Sequence, residues 1–169
     1  MTSRDLVAAT DAAHMEGLGV ALVEQPYRVA GRRSPAPARQ LDVAWSAVVE
    51  RLRERELSGL PLVVGGRSLG ARVACRTAGA AAAVGVLCLA FPLLPPRRAS
   101  GKAPESRLPE LDAVSVPVLV VQGERDPFGM PPPGPLRTVV RVQGDHSLRT
   151  DLGASAAAIR AWLQPLLAP

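Results

Sequence analysis

Apolar runs of strand length alternate along this chain with stretches in which apolar residues return every three or four positions. The runs at 20–24, 62–65, 85–90, 116–122 and 136–142 are rich in Val, Leu and Ala. Apolarity on both sides of a strand suits a sheet covered on both faces, as parallel sheets are. Helical spacing is clearest in the stripe Leu41, Trp45, Val48 and Leu52, which is expected to start from Ser34 before Pro35 and to stop near Gly59 and Pro61. A second helix is expected after Ser68, ending near Gly79, and another from about Thr150, carrying Leu152, Ala156, Ile159, Leu163 and Leu166. His14 falls in a first helix. This order predicts an α/β three-layer sandwich: a mostly parallel sheet of about five strands with helices on both faces. The proline-rich stretches 92–109 and 127–135 follow strand ends and read as loops.

Length changes the picture only by limiting it. With 169 residues, 47% of them hydrophobic, the chain can bury one core, and a single domain over 1–169 is expected. Its apolar runs are well below the roughly 18 residues that a membrane span needs, and no basic-then-apolar leader opens it. A cytoplasmic protein without membrane partners is therefore expected. Cys75 and Cys88 lie among apolar neighbours with no C-x-x-C spacing, so they read as buried free thiols, and neither a metal nor a cofactor is expected. The net charge of +5 comes from arginine, Lys102 being the sole lysine. Aromatics at 3% leave few platforms for stacking bases, which argues against nucleic acid as a partner. The oligomeric state is left open.

Open α/β sheets bind ligands beyond the carboxyl ends of their strands, so the residues just after each run carry the candidate chemistry. After the second run comes Gly66, Arg67, Ser68, Leu69, Gly70, a G-x-S-x-G pattern between a strand and a helix. Both glycines, Gly66 and Gly70, are expected where a side chain would strike the neighbouring strand or helix. Ser68 would then stand exposed at a helix N-terminus, whose free N–H groups favour negative charge. After the fourth run comes "QGERDPF", with Asp126 the candidate acid, in competition with Glu124 and Asp145. After the fifth comes "VQGDHSL", with His146 the candidate base. A nucleophile, then an acid, then a histidine is the chain order of the α/β-hydrolase triad. Arg67 and Arg72 flank the turn and read either as salt-bridge partners or as ligands for a substrate carboxylate. Tyr27 and Arg67 are candidate rim residues of the pocket, and Arg28, Arg32 and Arg33 follow Tyr27 in the same loop.

With these motifs in view, the chain resembles a small α/β-hydrolase of the dienelactone-hydrolase-like branch. The likeness rests on "GGRSLGAR", "PVLVVQGERDPFG" and "GDHSL" and runs from about Leu6 to Leu166. It is most similar to the subgroup that includes a testis-expressed vertebrate protein and a subunit of a histone acetyltransferase complex. The resemblance implies Ser68 as nucleophile, Asp126 as acid and His146 as base. Dienelactone hydrolases proper carry cysteine where Ser68 stands, so dienelactone itself is not implied as substrate. The resemblance also implies a central strand and an H-G-x-G-like loop ahead of the first helix, between the runs at 20–24 and 62–65 in the sheet. The sequence shows neither, so the natural protein is expected to extend upstream of Met1 and the fold to lack its N-terminal strands.

The chemistry expected is acyl transfer from a small-molecule ester to water. His146 takes the Ser68 proton, Asp126 holds the imidazole, and the Leu69 backbone N–H receives the oxyanion. Without a second oxyanion donor the rate should fall by about 100- to 1000-fold. The short segment after the third run leaves no room for a lid, so an open, shallow site is expected. Two other readings stand beside this one. One is a hydrolase-fold interaction module, weak or inactive as a catalyst. The other is a polyanion binder built on Arg32 and Arg33, on Arg51, Arg53 and Arg55, and on Arg97 and Arg98.

Overall fold

The computed structural model describes residues 3–95 and 105–167. In chain order the elements are α1 (Arg4–Met15), α2 (Pro26–Val29), α3 (Ala38–Arg53), β1 (Val63–Arg67), α4 (Leu69–Thr77), β2 (Gly85–Leu89), α5 (Leu108–Asp112), β3 (Val118–Gly123), β4 (Arg137–Val142) and α6 (Leu152–Leu167). The strands form one parallel sheet in the order β1-β2-β3-β4. Every residue of β3 is buried, because β3 has a strand on each side and helices on each face. Successive side chains of a strand point to opposite faces. Val118 and Val120 therefore pack with Val86 and Cys88 against α3, α4 and α5, through Val49, Ala71, Cys75 and Leu111. Leu119 and Val121 pack the other way, with Leu89 and Val142, against α1 and α6 through Ala12, Ile159 and Leu163. This is the three-layer α/β architecture that the runs predict.

The structure corrects three expectations. The sheet has four strands among the described residues, not five, because residues 18–25 pair with no strand. Their apolarity made them look like a strand, but a strand needs a neighbour for its backbone groups, and β1 lies across a cavity from them. That cavity, about 410 Å³, is lined by apolar residues of both segments, among them Val20, Leu22, Val63 and Gly65. Leu22 is 57% exposed. Second, α3 starts at Ala38, not at Ser34. Pro35 and Pro37 push the residues before them toward extended backbone, which delays the helix. Third, its inward stripe runs through Val49, with Val48 partly exposed.

Ion pairs fasten α4 to its layer. Arg72 makes a two-pronged contact with Glu110, at 2.9 and 2.6 Å, and Arg76 makes another with Asp42, at 2.9 and 2.7 Å. Hydrogen bonding to Asp42 raises the pKa of Arg76. Among the described residues no helix is long and apolar enough to cross a membrane.

Candidate active site

The turn from β1 into α4 holds Ser68 at φ 52° and ψ −111°, a left-handed backbone that a non-glycine residue adopts only under constraint from its surroundings. Part of that constraint is the close crossing of Gly66 and Gly70. A Cβ on Gly66 would lie 2.6 Å from the carbonyl carbon of Gly70, so position 66 excludes any side chain. Gly70 differs from its expectation, since a Cβ there would meet nothing within 4 Å. The tightness lies in the Gly70 backbone, not in the space around its α-carbon. The Ser68 N–H donates to Leu89 O at 2.8 Å, which ties the turn to the end of β2. Leu69 opens α4, where the first N–H groups have no intrahelical acceptor.

Beyond β3, the chain turns so that Asp126 Oδ1 accepts the Phe128 N–H at 2.9 Å. This side-chain turn, which an Asp followed by Pro favours, aims the carboxylate inward. Beyond β4, His146 arrives beside it. Gly123 lets the two loops meet, because a Cβ at that position would sit 2.8 Å from the carbonyl carbon of Asp145.

The structure brings Ser68, His146 and Asp126 into one chain of contacts. His146 Nε2 lies 2.9 Å from Ser68 Oγ, and His146 Nδ1 lies 2.8 Å from Asp126 Oδ2. With Asp126 ionised its oxygen only accepts, so Nδ1 carries the ring proton and Nε2 is free to accept from the serine hydroxyl. The Asp126 side chain is 1% exposed and that of His146 20%. Phe128 closes one side of the imidazole edge-on, with ring centroids 4.6 Å apart. The competing acids lie elsewhere. Asp145 accepts from the Ser147 hydroxyl and N–H at 2.6 and 2.8 Å, which holds its carboxyl below the ordinary range. Glu124 is exposed.

The remaining candidates are placed differently from their sequence reading. Arg67 donates to the His146 carbonyl oxygen at 2.9 Å. Its Nε lies 2.6 Å from Asp5 Oδ2, with the N–H out of line, so that contact is one of charge. The guanidinium is thus engaged by two groups of the protein itself. Arg72 is likewise held by Glu110. Tyr27 is half-buried on α2, with the Arg28 guanidinium 5.8 Å from its ring centre, and takes no part in the hydrogen bonds around His146. Arg97 and Arg98 lie outside the described residues. Cys75 and Cys88 are free and buried, 3.5 Å apart, and their contact together with burial raises the Cys88 pKa well above the usual thiol value.

Sequence reasoning passed over Gln122, Phe128 and the partnership of Arg67 with Asp5. A lone amide at the end of "VLVVQG" is a signal for the first, since a buried polar side chain in an apolar strand needs partners. The other two depend on packing between distant segments.

The alpha/beta hydrolase domain model matches residues 1–158. The chain belongs to that family. Among solved structures, this alpha/beta hydrolase is similar to XC6422 of Xanthomonas campestris, described as a serine hydrolase without a lid. The TM-score is 0.69 at 19% identity, over 98% of this chain and 74% of that one. It is similar also to Est1E of Butyrivibrio proteoclasticus, with a TM-score of 0.67 at 15% identity over 99% and 83% of the two chains. An alpha-beta serine hydrolase homologue from Coxiella burnetii gives 0.64 at 15%, over 95% and 76%. These likenesses establish the fold. A search of curated proteins returns no match.

Proposed function

We propose that the protein is a serine hydrolase that cleaves small esters or related acyl compounds through an acyl-enzyme. The observation that carries the reading is the continuous path from Ser68 Oγ through His146 to Asp126, at 2.9 and 2.8 Å. Ser68 attacks the substrate carbonyl carbon while its proton passes to His146 Nε2. Asp126 stabilises the imidazolium that results. The carbonyl oxygen, now negative, faces the Leu69 N–H at the start of α4. When the tetrahedral intermediate collapses, His146 returns the proton to the leaving alcohol, and water then repeats the sequence to release the acid. The likeness of the three quoted motifs to the dienelactone-hydrolase-like branch supports a small substrate, and serine at the turn supports esters over dienelactone. The cavity beside β1 does not include Ser68, Asp126 or His146 in its lining, so it is not the acyl pocket of this reading.

A fluorophosphonate probe, which reacts only with an activated serine, tests the proposal. Mass spectrometry should find the adduct on Ser68 and none in Ser68→Ala, and short-chain p-nitrophenyl esters should be hydrolysed by the wild type alone. A folded wild-type protein without adduct or turnover would overturn the enzyme and leave the interaction module.

A further inference from the structure

Gln122 is the sole uncharged amide in β3, and its surroundings are unusual for one. It is fully buried in a strand that is otherwise Val, Leu and Gly. Its Nε2 faces three acceptors: Phe91 O at 3.0 Å, Gly129 O at 3.0 Å and Asp126 Oδ2 at 2.8 Å. Its Oε1 is buried with no partner. An amide turned the other way would set Oε1 against the carboxylate, so the charge on Asp126 dictates the orientation seen. The unpartnered Oε1 shows what the side chain is there to do. It donates.

Asp126 Oδ2 is the oxygen that meets His146 Nδ1. The carboxylate is thus gripped at both ends, by Gln122 on Oδ2 and by the Phe128 N–H on Oδ1. Neither donor hydrogen-bonds Ser68 or His146. We infer that Gln122 is a positioning residue that sets the Asp126 carboxylate for His146, fixing the imidazole tautomer that leaves Nε2 free to accept from Ser68. This rests on the proposed function for its effect on rate, but its effect on the imidazole is independent of turnover.

Two variants test it in the full chain. Gln122→Met keeps the side-chain volume and removes both donors. Gln122→Glu keeps the shape and donates only while protonated. The first readout is ¹⁵N NMR of the imidazole, assigned with the exposed His14 replaced in His14→Gln. Wild type should show one tautomer, protonated at Nδ1, and Gln122→Met a mixture. The second is the rate of fluorophosphonate labelling at Ser68, which should fall about tenfold to a hundredfold in Gln122→Met. In Gln122→Glu, burial beside a carboxylate raises the pKa of the shared pair. Labelling of Gln122→Glu, taken as a ratio to wild type at the same pH, should therefore fall as pH rises and the second charge appears. Thermal unfolding confirms that each variant is folded.

A Gln122 that merely filled space would lower stability while the folded protein kept the wild-type tautomer and labelling rate, and that result would overturn the inference. If wild type carries no adduct, the enzyme reading fails, and the tautomer measurement still decides the role of Gln122.

Discussion

Arg67 donates to the backbone carbonyl oxygen of His146 at 2.9 Å, so the residue that precedes Ser68 also steadies the loop that delivers the imidazole. The same guanidinium neutralises Asp5, which is 3% exposed and sits in the first turn of α1. Arg67→Met should therefore act twice. Labelling of Ser68 should drop about tenfold or more, because a charge-assisted hydrogen bond to the loop is lost. Stability in urea should fall by about 3 to 5 kcal/mol, because a buried carboxylate loses its counter-charge. Adding Asp5→Asn should restore much of the stability and none of the labelling.

The two glycines of the turn should respond oppositely to alanine. Gly66→Ala forces a Cβ against the Gly70 backbone and should cost about 1 to 3 kcal/mol in denaturant unfolding. Gly70→Ala places a methyl group in open space within α4 and should be neutral or stabilising by up to about 1 kcal/mol. Equal losses at both positions would contradict the crossing seen here.

The paired thiols should be chemically silent. Cys75 and Cys88 are buried, and the Cys88 thiol is pushed well above its ordinary pKa, so the thiolate that reacts is scarce. Iodoacetamide at neutral pH should label neither cysteine in the native protein and both in denaturant, as counted by intact mass.

Acid should weaken the contact between α1 and α6. Arg160 donates to Glu16 at 2.6 Å, and this bond lowers the Glu16 pKa. A carboxylate whose folded pKa is depressed contributes stability that is fully present above its unfolded pKa and is lost as pH falls through the folded one. Glu16→Gln should unfold at lower urea than wild type at neutral pH. The gap should close on the acid side of the ordinary glutamate range.

Much of this molecule is legible in its sequence, and the reasons are local. Runs such as VLVVQG form strands because their apolar sides can be covered on both faces, and β1 to β4 fall within a residue or two of the expected bounds. The turn at Ser68 is legible because only glycine fits at position 66. Residues 18–25 show the limit of such reasoning. Their composition suits a strand, yet pairing depends on a neighbour that composition does not reveal. The start of α3 was misplaced because Ser34 looks like a cap, while the two prolines after it act on backbone angles. Gln122 and Arg67 carry information only once β2, β3 and the histidine loop are assembled, since Phe91 lies 31 residues from Gln122 and His146 lies 79 from Arg67.

The layer formed by α1 and α6 has a consequence for how the protein is made. Those helices shield Leu89, Leu119 and Val121, and among the described residues they are the first and last helices. Until α6 has been synthesised, the side of the growing sheet that it covers stays greasy and bare. Chaperone demand should accordingly persist until α6 has emerged, and truncations within α6 should aggregate rather than accumulate as native protein.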